Sequence, residues 1–203
     1  MLLEGKNLSF KYKNTDYLFE NINISVESGE IVGLVAKSGY GKSTLSKILA
    51  GYETPTKGQV LLNGKKLPNK GYNPVQLIYQ HPEKSINPRM KMRDVLLEAG
   101  PIDYDLIKAI GIEEDWLTRY PLELSGGELQ RFSVARVLNE KTKFIIADEI
   151  STMLDVITQA QIWNVIIEFV NKRNIGLVAV THNKHLAEKI CNRIFYLEKE
   201  NRG

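Results

Sequence analysis

The chain has 203 residues, 43% hydrophobic and 25% charged, a composition that excludes a disordered or fibrous protein and suits a single globular domain with room for an inserted subdomain. Net charge is +3, from 27 basic and 24 acidic residues, and the basic residues are scattered. The tightest cluster, Lys84 to Arg93, is interrupted by Pro88, Met90 and Met92, so no nucleic-acid partner is expected. The single cysteine, Cys191, cannot close an internal disulfide and reads as an inert packing thiol. No stretch approaches the roughly 18 to 20 apolar residues that cross a bilayer, and the N-terminus lacks a signal-peptide core.

In chain order, Leu8–Tyr12 and Ile22–Val26 alternate as half-buried antiparallel strands do, with a turn at Ser28–Glu30. Ile31–Val35 is a continuous apolar run, the pattern of a strand covered on both faces. A Gly-containing loop follows, then a helix from about Lys42 to Gly51. Val60–Leu62 before Asn63-Gly64 predicts a strand entering a tight hairpin, and Val75–Tyr79 a second buried strand. From His81 to about Glu123 the strands stop, and prolines 82, 88, 101 and 121 punctuate short helical pieces near 94–99, 104–110 and 113–119. A helix from near Ser125 leads to an apolar strand at Phe144–Ala147, then a helix at about Thr158–Arg173, a strand Leu177–Thr181, a helix Lys184–Cys191 and a last strand Arg193–Leu197. Strands alternating with helices imply a mainly parallel sheet with right-handed crossovers.

The strand, loop and helix order at 31–50 encloses Ala36-Lys37-Ser38-Gly39-Tyr40-Gly41-Lys42-Ser43-Thr44. Successive backbone N–H groups in such a loop surround phosphate oxygens, and the following helix adds the positive end of its dipole. In such a loop Lys42 would bridge the β- and γ-phosphates and the Ser43 hydroxyl would ligate Mg²⁺. The strict pattern asks for glycine where this chain has Ala36, so position 36 is expected to keep an ordinary backbone conformation. Phe144–Ala147 delivers Asp148-Glu149 at the carboxyl end of its strand, where open parallel sheets bind ligands. Asp148 suits Mg²⁺ held through water; Glu149 is placed to orient and deprotonate an attacking water. A helix-capping or surface pair would look the same in isolation, and only the phosphate loop makes the catalytic reading the stronger.

Leu124-Ser125-Gly126-Gly127-Glu128-Leu129-Gln130-Arg131 opens a helix with a hydroxyl and exposed N–H groups that suit an anion, and an ordinary Ser cap does not explain two following glycines. The segment closely resembles the signature motif of the ABC ATPase family, and the resemblance extends over essentially the whole chain. It implies an α/β fold: a P-loop NTPase core with a mainly parallel sheet, an N-terminal antiparallel β subdomain and an inserted helical subdomain. A single cassette of residues 1–203 is expected, with core 1–80 and 132–203 and the insertion at about 81–131.

The resemblance further implies that Tyr12 stacks on adenine, that Lys37 through Thr44 cradle ATP, and that Gln80 touches both Mg²⁺ and the nucleotide. Ser125, Gly126 and Gly127 would meet the γ-phosphate of ATP held by an opposing subunit, Ser151–Asp155 would cross that interface and end in Asp155, and His182 would contact the γ-phosphate. ATP and Mg²⁺ are the implied cofactors. The implied partners are transmembrane permease subunits, a second ABC ATPase chain, identical or different, and indirectly an extracellular substrate-binding protein. Departures from the family pattern are Ala36, Glu128, Ile150 in place of a proline and Met153 in place of a small residue; none removes a reacting group. Gln80–Arg89 and Asp155–Ile162 are similar to importers of peptides, nickel and metal chelates. The implied role is the ATP-hydrolysing motor at the cytoplasmic face of the membrane. The alternatives are a soluble ABC switch acting on ribosomes or nucleic acid, and a module that closes on ATP without useful catalysis.

Overall fold

The computed structural model of the protein describes residues 1–150 and 154–197. Two compact units emerge: Met1–Leu77 with Lys143–Glu149 and Asn174–Gly203, and Ile78–Thr142 with Ile150–Arg173. The expected insertion at about 81–131 lies inside the second unit, which also takes in 132–142 and 150–173.

The first unit carries two sheets. Strands β1 (Leu2–Phe10), β2 (Phe19–Glu27), β4 (Lys57–Leu62) and β5 (Lys65–Lys66) form an antiparallel sheet in the order β2-β1-β4-β5. β1 starts earlier than the alternation at Leu8–Tyr12 suggests, because register shifts between Gly5 and Leu8 and between Leu8 and Phe10 break the period. The predicted turn between β4 and β5 forms with Asn63 at φ 50° and Gly64 at φ 74°, the pair of positive angles that a two-residue hairpin requires. The other sheet has the order β6-β7-β8-β3-β9, from Val75–Ile78, Phe144–Asp148, Gly176–Thr181, Ile31–Val35 and Arg193–Tyr196. β3, β7 and β8 are buried at every position, as expected of parallel strands covered on both faces.

Parallel pairing sets Val35 beside Thr181 and Asp148 beside Val180, so the carboxyl ends of β3, β7 and β8 share one edge. Helix α1 (Lys42–Leu49) packs on β7 and β8, and its Leu49 lies beside Gly5 of β1. Helix α6 (Lys184–Ile190) packs against β3, β8 and β9, with Asn183 accepting a hydrogen bond from the Leu186 N–H at its start.

The second unit is helical: α2 (Met92–Leu97), α3 (Tyr104–Ile110), α4 (Gly126–Val137) and α5 (Val156–Arg173). The segment expected as a helix at 113–119 is a single 3₁₀ turn, Glu114–Thr118, and another such turn at Pro121–Glu123 follows at once. α3 starts at Asp103, which accepts from the Leu106 N–H, and stops at Gly111, φ 82°. Ile107, Ile110, Leu117, Phe132, Val134, Trp163 and Ile166 form its apolar interior. Each such side chain contributes roughly 1.5 to 3 kcal/mol on burial. Ser151–Met153, including the Met153 departure, lie outside the described residues.

Candidate functional site

Within the first unit, the loop between β3 and α1 runs along the carboxyl edge of the parallel sheet. Ala36 is buried and keeps an ordinary backbone angle, as its side chain demands; the left-handed positions of the loop fall on Gly39 at φ 85° and Gly41 at φ 90°. A side chain at Gly41 would also run into Leu18 and Phe19, so glycine serves there for both angle and space. Lys37 through Tyr40 are exposed, whereas Lys42 is only 6% exposed. The Lys42 ammonium donates to the carbonyl oxygens of Ala36 at 2.9 Å and Lys37 at 3.2 Å, and pairs with Glu149 Oε1 at 3.3 Å. Partnering of this kind is what makes a nearly buried charge tolerable.

Glu149 follows the last residue of β7 and is the only acidic residue among the described positive-φ positions, at φ 47°. A left-handed glutamate costs about 1 to 2 kcal/mol, and its N–H donates to the Val180 carbonyl at 3.0 Å. The turn directs the carboxylate at Lys42 and, 3.6 Å away, at His182 Nδ1 just beyond β8. Asp148, one residue earlier, is 4% exposed. Burial pushes its carboxyl above the usual 3.8, while a hydrogen bond from Ser43 and the nearby Lys42 ammonium pull the other way. Its Oδ1 has no hydrogen-bond partner in the structure.

An orphaned buried carboxylate oxygen beside a serine hydroxyl on a phosphate loop fits a hydrated Mg²⁺, a cation that keeps several waters and takes one or two carboxylates plus phosphate oxygens. No group of three or more His, Cys, Asp or Glu among the described residues forms a metal cage. Tyr12 lies past the end of β1, 54% exposed, with its hydroxyl 3.0 Å from Thr44 Oγ1 and its ring edge-on to Phe10. Cys191 is half-buried and burial raises its thiol to about 11, which keeps it protonated and unreactive near neutral pH.

The remaining residues singled out from sequence belong to the second unit. Gln80 sits just after β6, where the chain enters that unit. Ser125, Gly126, Gly127 and Asp155 share a cleft of about 450 Å³ with Trp116, Glu128, Arg131, Leu154 and Thr158. Ser125 caps α4: its hydroxyl accepts from the Glu128 N–H at 3.3 Å, and the Glu128 carboxylate accepts from the Ser125 N–H at 2.6 Å. Asp155 accepts from the N–H groups of Ile157 and Thr158, both at 3.0 Å, and from the Thr158 side chain; these bonds hold its carboxyl below the usual value. Arg131 lies in the signature segment and Thr158 and Gln161 in 155–162, but sequence gives none of them a role, since partners 21 to 30 residues apart leave no local period.

A phosphate loop whose lysine pairs with Glu149 beside the buried Asp148 specifies a nucleoside-triphosphate chemistry. The family described as ABC transporter matches residues 19–152. This chain belongs to that family. It is an ATP-binding cassette that hydrolyses ATP to energise membrane transport. The oligopeptide transport ATP-binding protein OppF of Streptococcus mutans is 33% identical, over 95% of this chain and 70% of its own. The dipeptide transport ATP-binding protein DppF of Lactococcus lactis is also 33% identical, over 95% and 70%. The nickel import system ATP-binding protein NikE of Staphylococcus aureus is 32% identical, over 97% and 87%. Among solved structures, a dimeric ATP-binding cassette in a post-hydrolysis state with ADP and Pi superposes with a TM-score of 0.84 at 26% identity, over 98% of this chain and 95% of that one. The two sheets and the helical unit of the present cassette therefore form the ABC fold.

Proposed function

We propose that this cassette is one motor subunit of an importer for peptides or nickel, paired head to tail with a second cassette beneath two membrane subunits. The observation that carries the reading is its similarity, over 95 to 97% of its length, to ATP-binding subunits named for oligopeptide, dipeptide and nickel transport. Pairing draws support from the dimeric cassette that it resembles. No helix among the described residues is long and apolar enough to cross a membrane. On this reading the chain works at the cytoplasmic face through membrane partners, with an external binding protein delivering cargo.

In the catalytic cycle, ATP phosphates draw the Lys42 ammonium off the Ala36 and Lys37 carbonyls and off Glu149. Backbone N–H groups of Lys37 through Thr44 surround the β-phosphate, and the Tyr12 ring lies on adenine. Glu149, released from Lys42, accepts a proton from the water whose oxygen attacks the γ-phosphorus, and the bond to the β–γ bridging oxygen breaks to leave ADP. Such a base contributes about 10² to 10⁴ in rate. His182 holds a γ-phosphate oxygen and the orientation of Glu149. Ser43 and Asp148 would hold Mg²⁺, which supplies charge neutralisation on the phosphate oxygens. Ser125, Gly126 and Gly127 of the opposing cassette close the site on the γ-phosphate, with Asp155 lining the same cleft.

Capture of the tagged chain from gently solubilised native membranes, followed by mass spectrometry, tests the assembly. Two membrane subunits and a cassette are expected, and the complex should hydrolyse ATP faster when its loaded binding protein carries peptide or nickel. Recovery of ribosomal or DNA-associated proteins without membrane subunits would contradict it.

A further inference from the structure

In the helical unit, the C-terminal end of α3 and the N-terminal end of α5 are joined through one side chain on α4. Arg131 Nη1 donates to the Ile110 carbonyl, one of the orphan acceptors at the end of α3, and reaches Gln161 Oε1 at 3.4 Å. Gln161 Nε2 donates to the neighbouring Ala109 carbonyl at 2.9 Å, so the two side chains together cap α3 from outside. The other arm of the fork, Arg131 Nη2, donates to Thr158 Oγ1 at 3.2 Å. The Thr158 hydroxyl and N–H both donate hydrogen bonds to the Asp155 carboxylate, which completes a chain from α3 to the cleft. Gly111 makes the approach possible: a Cβ there would collide with the Arg131 guanidinium and come 3.2 Å from Gln161 Nε2.

We propose that Arg131 is a positioning residue for ATP hydrolysis, a fork that locks α3, α4 and the first turn of α5 so that Ser125 and Asp155 face one cleft in a fixed relation. This rests on the reading of that cleft as the seat of an opposing γ-phosphate. Arg131 lies six residues after Ser125 on α4, while its Thr158 contact fixes the turn that holds Asp155. The fork therefore ties both walls of the cleft to the end of α3, and a displacement of α3 reaches Ser125 and Asp155 together. Only a planar, multi-donor group can serve Ile110, Gln161 and Thr158 at once; a lysine ammonium on a flexible stem cannot.

The test compares Arg131→Gln, Arg131→Lys, Thr158→Val and the double variant Arg131→Gln/Thr158→Val in the complex captured from native membranes. Arg131→Gln is expected to lower kcat about tenfold and leave the KM for ATP within about twofold, a coupling of ordinary size for residues sharing one network. Arg131→Lys should keep thermal stability better than Arg131→Gln and still lack most of the turnover. The double variant should be no slower than Arg131→Gln alone, because both changes cut the same path. Turnover that survives Arg131→Gln, is restored by lysine, or falls additively in the double variant would overturn the proposal. Thr158→Val, a gentler change, keeps the test decisive if Arg131 variants fold poorly. Ser125→Ala separates the two readings: full turnover there sinks the cleft assignment itself, whereas slowed turnover with unaffected Arg131 variants sinks only the fork.

Discussion

The phosphate loop of the first unit and the Ser125–Asp155 cleft of the second are built on opposite electrostatic plans. In the loop, the charges are withdrawn from water: Lys42 is 6% exposed and already paired with Glu149, and Asp148 is 4% exposed. In the cleft, Ser125, Gly126 and Asp155 are exposed, and helix caps and hydrogen bonds hold them in place without burial. A buried, pre-paired set of charges must be rearranged by an incoming ligand, so it suits a site that responds to ATP. An exposed, pre-formed set of donors needs no rearrangement and suits a surface that meets a phosphate brought by another subunit. The difference fits the proposed roles, a loop that responds to ATP and a cleft that recognises a phosphate.

Lys42→Ala should break that contrast most severely. Loss of the ammonium removes charge-assisted hydrogen bonds to phosphate worth about 1.5 to 3 kcal/mol each. ATP affinity, followed with a fluorescent nucleotide, is expected to fall by at least about tenfold. The change also leaves Glu149 without a lysine partner, and a variant with unaltered affinity would show that the ammonium remains on the Ala36 and Lys37 carbonyls when ATP binds. Ser125→Ala comes next. It should leave ATP affinity of the isolated chain intact while slowing turnover of the assembled transporter by roughly 10-fold or more. It should also cost about 1 kcal/mol of stability through the lost cap of α4, which a melting curve reads separately.

The smallest expected effect sharpens the electrostatic argument. Because burial raises the Asp148 carboxyl, the folded, nucleotide-free protein holds that proton more tightly than the unfolded chain does. Its favourable contribution is complete below the ordinary carboxyl value of 3.8 and is lost as pH rises through the raised folded value. At neutral pH the ionised group is therefore a burden, and Asp148→Asn should melt at a higher temperature than the parent protein without nucleotide. The gain should shrink as the pH approaches the ordinary value. A lower melting temperature at pH 7 would mean that the Ser43 and Lys42 interactions outweigh burial.

Much of this arrangement is legible in sequence where the chemistry is local. The apolar run 31–35, the glycines at 39 and 41 and the Lys42-Ser43 pair specify a strand, a left-handed loop and a helix start within a dozen residues. Phe144–Ala147 before Asp148-Glu149 is equally self-contained, and Asn63-Gly64 turns as its dipeptide demands. The positive φ of Glu149 is not legible, because glutamate has no preference for that region and the surrounding strand ends impose it. The helix expected at 113–119 shortens to a 3₁₀ turn because Pro121 follows within a few residues and opens another. The residues of the Arg131 network fall in segments that resemble the family, but their connection is not legible: its acceptors lie on α3 and α5, and only the packing of the helical unit brings them together.

The most direct test of the account is ATP binding and phosphate release by the captured complex carrying Glu149→Gln. Glutamine keeps the size of the side chain at the end of β7 and removes its capacity to take a proton. The account predicts retained ATP binding with turnover reduced by about 10² or more. Unchanged phosphate release would contradict it, and would move the catalytic base away from the edge shared by β3, β7 and β8.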